Sequence, residues 1–359
     1  MKRPHAKNRR DFLSGRAPAA ENEPPSAAAE EPRSRAAEPY LVQYKRRAMA
    51  CDFELYLNAG QYPDGGEVAL AALDLIEQLE QQLSIYRSSS EVSEVNRLAG
   101  QQSVRLEPRL FALLAQAAEI FRATEGAYDI TAGPLVKAWG FYRRQGAIPQ
   151  PEALALALAC IGSQNLLLDE AAGTISFQKP GMELNLGSIG KGYALDRAGE
   201  LLATWGISDY LWHGGQSSVL ARGIAADNGP RGWTIGVRDP VRSDRRLAEI
   251  SLRDRALSTS GSGVQFFRHR GKRYGHILDP RTGWPAEGVF SATVVAPTAA
   301  EADALSTAFY VMGVEAALAY CQAHSGIGTL LVYPSRRQSK VELAVGGLDD
   351  SDWRRLAGE

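Results

Sequence analysis

Hydrophobic positions along this chain recur at two periods. Between Gly66 and Tyr86 (GEVALAALDLIEQLEQQLSIY), Leu70, Leu73, Ile76, Leu79 and Leu83 step by three and four, the spacing of one helical face. A second such face runs through 108–126 (PRLFALLAQAAEIFRATEG) and stops at Gly126. Ser88 and Glu91 stand at capping-box spacing ahead of a short helix that ends at Gly100. The run ALALALACIG at 153–162 reads as part of a buried helix. A helix is also predicted after the glycine-rich turn at 187–192, and another over 298–313, where Thr298 and Glu301 form a capping box that starts it near Ala299.

Strand signals fill the gaps. Phe53–Asn58 alternates, 165–178 predicts a hairpin, and 209–223 (DYLWHGGQSSVLARG) reads as strand, tight turn, strand. Further strands are expected in 232–240, 247–261 and 272–280, then in the β-branched FSATVVAP and in the last helix–strand pair over 315–334. Strands and helices mix without regular alternation and nothing repeats, which predicts an α+β (mixed α/β) fold of mixed sheets flanked by helices.

The first 39 residues break this pattern. NRRDFLSG, Asn8 to Gly15, resembles a twin-arginine export signature, but the segment behind it is rich in Glu, Arg, Ala and Pro rather than apolar. Such a composition cannot bury enough surface to order itself, so 1–39 is expected to be a disordered tail and 40–359 the folded part. The expected compartment is the cytoplasm, with export through this degenerate start as the alternative.

The 359 residues are 45% hydrophobic and carry a net charge of -1, ample for a large core and without the basic excess of a nucleic-acid binder. No apolar run approaches the roughly 18 residues of a membrane span. Cys51, Cys160 and Cys321 lie far apart and form neither a zinc pattern nor a disulfide framework.

Four stretches carry candidate chemistry. On the helix after Thr298, Asp303 and Thr307 share a face with Ser306 beside it, a hard-oxygen corner suited to Mg²⁺ at a phosphate. Spacing alone favours the plainer account, a solvated Asp and a helix-packing Thr. In NLGSIGKGYALD (185–196), Gly187, Gly190 and Gly192 open the backbone to an anion, and Lys191 adds charge at a helix start; a structural turn fits equally well. TEGAYDITAGPLVKAWGF (124–141) sets Tyr128, Trp139 and Phe141 among glycines, which suits a planar heterocycle or a loop with core aromatics. In GHILDPRTG (275–283), Asp279 could orient His276 as a general base.

Taken in order, LSIYRSSSEVSEVN, TEGAYDITAGPLVKAWGF, LGSIGKGYALD, TSG, HILDPRTGWP and APTAAEADALSTA resemble the signatures of the FAD:protein FMN transferase (ApbE) family, from about Met49 to the helix bearing Asp303. The resemblance implies a single large catalytic domain that splits FAD with Mg²⁺, attaches FMN by a phosphoester to a Thr or Ser of an acceptor flavoprotein, and releases AMP. It implies that Met49, Tyr86, Ala127, Tyr128, Asp129, Asn185, Lys191 and Ile277 contact FAD. Mg²⁺ would be held by Asp303 and Thr307, with Ser306 nearby and a carbonyl from the turn around Ser188. His276 would deprotonate the acceptor hydroxyl while Lys191 meets the phosphate charge. Partners would be FAD and the acceptor, with no nucleic acid, and with membrane contact only through the acceptor.

The sequence departs from the family at Asn185 and Gln216, where Asp is usual, at His213, where Asn is usual, and at Met49–Cys51, where Met-Gly-Thr is usual. Asn and Gln keep hydrogen-bonding geometry but offer no full acceptor charge. Attack by water instead of a hydroxyl would make the same site an FAD pyrophosphatase, and loss of catalysis would leave a flavin-binding module.

Overall fold

The computed structural model describes residues 40–242, 244–261, 263, 265–335 and 341–356. The expectation for 1–39 lies outside the described residues. Two strands begin the fold, Leu41–Ala48 (β1) and Cys51–Asn58 (β2), and the two residues between them, Met49 and Ala50, both have left-handed backbone (φ 49° and 60°). That turn suits the twist of an antiparallel pair. Helices Gly65–Leu83 (α1) and Glu91–Leu98 (α2), a short strand Val104–Arg105 (β3), and helices Pro108–Ala123 (α3), Gly133–Ala138 (α4) and Pro151–Ala159 (α5) follow. Strands Leu166–Asp169 (β4) and Thr174–Phe177 (β5) lead to the helix Gly190–Thr204 (α6) and to strands Tyr210–Gly214 (β6) and Ser218–Arg222 (β7). Next come Trp233–Arg238 (β8), Arg246–Leu252 (β9), Arg255–Gly261 (β10), Phe266–His269 (β11), Lys272–Gly275 (β12) and Ser291–Ala296 (β13). Helices Ala299–Met312 (α7) and Val314–Ala323 (α8) and strands Gly328–Pro334 (β14), Val341–Gly346 (β15) and Trp353–Arg355 (β16) complete it.

An eight-stranded sheet, ordered β1-β2-β6-β7-β10-β13-β14-β15 and antiparallel throughout, forms the centre. Its central strands are apolar on both faces, because both faces are covered. Trp212, Leu220, Ala256, Val294 and Leu331 point into the core made with the helices. Their neighbours Leu211, Val219, Leu257, Val295 and Leu330 pack with Trp233, Ile235, Ile250 and Leu252 of the small sheet β16-β9-β8. A third cluster, with Leu135, Trp139, Phe141 and Leu278, sits under α4 and α5. No helix among the described residues is long and apolar enough to cross a membrane.

The α+β architecture expected from the pattern is the one observed, and α1, α3 and α7 fall where periodicity and caps place them. Two expectations are corrected. The helix at 153–162 is not buried: only Ala157 of α5 is, while Leu156 is 69% exposed. The cap of α2 is Ser90, whose Oγ accepts from the Ser93 N–H at 3.0 Å, not Ser88. Strand β1 lacks a strong apolar signal because it is an edge with one face in solvent.

Leu330→Ala and Leu331→Ala test the double cover. Each is expected to destabilise the fold by about 2–5 kcal/mol in denaturant unfolding, since each empties a different core. A near-neutral result for either would show that its face of the sheet is open.

Candidate active site

The site is built where α6 crosses α7. Gly192, in the first turn of α6, lies so close to α7 that a Cβ there would collide with the Ala299 carbonyl. Asp196, one turn further along α6, accepts hydrogen bonds from the Ala299 and Ala300 N–H groups, both at 2.8 Å, and so serves the unpaired donors at the α7 start. Burial raises the Asp196 carboxyl to about 6. The Thr298 Oγ1 caps the same helix by accepting from the Glu301 N–H at 3.3 Å.

With the crossing fixed, Asp303 of α7 faces inward and is 3% exposed, which overturns the picture of a solvated carboxylate. Its Oδ1 accepts from the hydroxyls of Ser218 and Ser258, each at 2.6 Å, and its Oδ2 from the Gly192 N–H at 2.7 Å. Lys191 Nζ stands 3.8 Å from Oδ2. A buried carboxylate is tolerable only with such partners.

Beside it the Ser260 hydroxyl lies 2.8 Å from Ser306 Oγ and 3.2 Å from Thr307 Oγ1, and Ser306 donates to the Asp303 carbonyl at 2.9 Å. Asp303, Ser306 and Thr307 therefore form one oxygen-rich corner. Ser218, Ser258 and Ser260, which help to build it, give little sign of this in the sequence. The sole hint is that Ser258 and Ser260 alternate on one face of β10, inside a sheet that is otherwise apolar there.

The charge of Lys191 is also felt at His276. The imidazole follows β12 directly, and its Nδ1 lies 3.0 Å from the Gln265 carbonyl. A carbonyl can only accept, so Nδ1 carries the proton and Nε2 keeps its lone pair. Burial lowers the His276 pKa, the Gln265 carbonyl opposes that shift, and the Lys191 charge adds to it, so the ring is neutral near pH 7. Asp279 does not orient His276, contrary to the expectation from spacing. Its carboxylate is taken by Arg281, with Nε and Nη2 both at 2.9 Å. The Cys51 thiol also lies within electrostatic reach of Lys191 and Asp303, and burial raises its pKa.

The aromatic–glycine loop divides by burial. Tyr128, Trp139 and Phe141 are core residues, so the structural reading of these rings prevails over a heterocycle platform. They still frame the site. Trp139 Nε1–H donates to the Gly283 carbonyl at 2.8 Å, the Phe141 ring meets His276 edge-on at 6.4 Å, and the Tyr128 hydroxyl lies 3.5 Å from Ser188 Oγ. An exposed platform exists nearby instead. Tyr86, 68% exposed, stacks on Tyr142 with centroids 4.8 Å apart.

Ala127 and Ile277 are buried, and Met49 is half-buried in its turn. Asp129 turns its Oδ1 to Thr131 (N–H 2.8 Å, Oγ1 2.7 Å) and Ser163 (2.6 Å), which ties the loop down. Asn185 Oδ1 accepts from the Gly187 N–H at 3.0 Å and braces the glycine turn. Gln216 is exposed and accepts from Arg238 at 3.2 Å, and His213 meets Tyr56 edge-on, so neither touches Asp303.

The α+β fold thus gathers a glycine turn, a lysine and a buried carboxylate at one corner, with a neutral imidazole within reach of the lysine's charge. The family model described as "ApbE family" matches residues 49–331, and the chain belongs to that family. It is 33% identical to a Treponema pallidum FAD:protein FMN transferase over 73% of this chain and 76% of that one. It is 30% identical to a Klebsiella pneumoniae FAD:protein FMN transferase over 77% and 85%. Among solved structures, the ApbE protein of Thermotoga maritima superimposes with a TM-score of 0.75 at 30% identity, covering 84% of this chain and 96% of its own. The flavin transferase ApbE of Vibrio cholerae does so with 0.75 at 28%, covering 86% and 97%.

Among the described residues no group of three or more His, Cys, Asp or Glu could hold a metal ion. A cation at this corner would rest on one carboxylate, that of Asp303, together with hydroxyl and carbonyl oxygens. That set fits Mg²⁺, which takes few protein ligands and fills its octahedron with water and substrate phosphates.

Gly192→Ala is expected to lower unfolding stability by about 1–3 kcal/mol, with FAD affinity falling in parallel, because the helix crossing must open. Gly190→Ala is the control: its Cβ would meet only Leu83, at an ordinary 3.8 Å. Equal stability for the two variants would show that the crossing does not depend on Gly192.

Proposed function

We propose that this chain transfers the FMN half of FAD to a Thr or Ser hydroxyl of an acceptor flavoprotein and releases AMP. The observation that carries this reading is that Lys191 stands 3.8 Å from a buried, hydrogen-bonded carboxylate, while its charge also reaches a neutral imidazole whose Nδ1 is held by a backbone carbonyl. Relatives that bear the name FAD:protein FMN transferase, with most of both chains aligned, support it.

The chain's residues divide the work. The diphosphate of FAD meets Lys191 and the α6 N-terminus, where positive charge and backbone donors converge. The stacked Tyr86–Tyr142 pair offers a planar surface at the rim for the flavin. His276 Nε2 accepts the proton of the acceptor hydroxyl, whose oxygen bonds to the FMN-side phosphorus. The anhydride P–O bond breaks, and AMP leaves with that oxygen. Lys191 stabilises the charge that builds on the phosphoryl oxygens. Asp303 and Thr307, with Ser306 and a carbonyl from the turn around Ser188, would hold Mg²⁺, which would supply further charge neutralisation.

His276→Ala is expected to keep FAD affinity and to slow transfer by about 100-fold. In the unsubstituted protein, transfer is expected to hold through neutral pH and to fall only below the ordinary imidazole range. The lowered pKa keeps the base unprotonated further into acid. That acid limb should vanish in His276→Ala, and a variant that kept both rate and limb would remove His276 from the chemistry.

Asp303→Asn keeps the side-chain shape but removes the anion. FMN transfer in this variant is expected to lose its response to added Mg²⁺. A titration that matched the unsubstituted protein would place the cation elsewhere.

A further inference from the structure

Beside His276 the chain displays a surface that the chemistry above does not use. The hairpin FFRHRGKRYG, residues 266–275, carries Arg268, His269, Arg270, Lys272 and Arg273 and no carboxylate, in a chain whose net charge is -1. Its register sets Arg268 opposite Arg273 and His269 opposite Lys272. Like charges directly opposite, as Arg268 and Arg273 are, weaken a strand pair, and the hairpin is held instead by Phe267 and Tyr274, stacked 5.3 Å apart and packed against Trp139. Lys272 meets Glu287 at 2.8 Å and the Arg273 guanidinium lies 3.9 Å over the Phe266 ring, while Arg268, His269 and Arg270 point outward. Arg143 and Arg144 extend the same charge. Both are exposed on a turn tied to the hairpin foot, where Gln265 Nε2–H donates to the Phe141 carbonyl at 3.2 Å. This concentration of like charge does not serve the hairpin's own stability.

An apolar hollow of about 700 Å³ opens between the hairpin tip and α5. Ile148, Pro149, Leu154, Leu158 and Trp284 line it, with His269 and Arg270 among its walls. Trp284 is 46% exposed, and α5 is the helix whose apolar run predicted burial it does not have. Exposed apolar surface edged by charge marks an interaction site.

The surface is continuous with the candidate base. His276 is the residue after β12, and the Gln265 carbonyl accepts both its N–H, at 3.2 Å, and its Nδ1–H, at 3.0 Å. A four-residue strand at about 3.3 Å per residue places the hairpin tip roughly 13 Å from His276. A polypeptide lying along the hairpin could therefore bring a hydroxyl to Nε2.

We propose that the 266–275 hairpin and the hollow against α5 form the docking surface for the acceptor protein. The docked segment is acidic and places an apolar side chain between α5 and Trp284. This rests on the transferase reading and specifies the partner's chemistry. Acidic residues pair with the outward arginines, relieve the repulsion across the hairpin, and orient the segment.

The test uses the full chain loaded with FAD, and two fluorescein-labelled peptides of equal length. Each holds one Thr and one Leu, flanked in one peptide by aspartates and in the other by lysines. By fluorescence anisotropy at low salt, the aspartate peptide is expected to bind at least about tenfold tighter than the lysine peptide. Arg268→Glu with Arg270→Glu is expected to erase that preference while FAD binding, read by flavin fluorescence, is unchanged. No preference, no binding, or a preference that survives the double substitution overturns the proposal. So does capture by anionic phosphatidylglycerol vesicles that leaves the two peptides indistinguishable, since the patch would then read a membrane surface. Failure of FAD binding in the unsubstituted protein would instead count against the transferase reading itself.

Discussion

The close approach of α6 to α7 is the constraint on which the site depends. Gly192 has no room for a side chain, and its N–H is spent on the Asp303 carboxylate. The same contact sets Lys191 against that carboxylate and lets Asp196 serve the first N–H groups of α7. One glycine thus decides the position of a cation, an anion and a helix start together. The hydroxyls of Ser218 and Ser258, delivered by β7 and β10, complete the carboxylate's partners from the sheet side. Helix pair and sheet are therefore locked to one another through a single buried charge.

The central strands of the sheet, apolar on both faces because both are covered, hold that lock in place. A sheet that must present two serines at fixed positions to a buried carboxylate cannot slide, and register is held best when a slip would expose a core on either side. Leu330 and Leu331 each belong to a different core, as do Val294 and Val295. The small sheet behind steadies the strands that aim the serines.

His276 reaches the same spot by another route. It is held by a backbone carbonyl rather than a carboxylate, which fixes its tautomer without adding negative charge. Asp279, which spacing alone pairs with it, is used up by Arg281 in shaping the turn. The departures at Asn185 and Gln216 leave the Asp303 corner intact, since Asn185 braces the glycine turn and Gln216 lies outside it.

Periodicity was enough to place α1 and α3, and the Thr298–Glu301 spacing to start α7, because helical faces and caps depend on residues within one turn of each other. The same local logic grouped Asp303, Ser306 and Thr307 and marked the glycine turn with Lys191. It failed for α5, whose apolar residues describe a core helix although most of them face solvent: burial is a property of what the rest of the chain packs on a helix. It could not find Ser218, Ser258 or Ser260, because a small hydroxyl on a strand means nothing until a carboxylate from another element arrives. The sequence by itself determined the class of fold, the start of α7 and the grouping of candidate residues along the chain, all set by short-range sterics and spacing. Only the tertiary structure decided which of those groups meet, because hydrogen bonds and buried charge join residues far apart in the chain, such as Gly192 and Asp303, 111 positions apart.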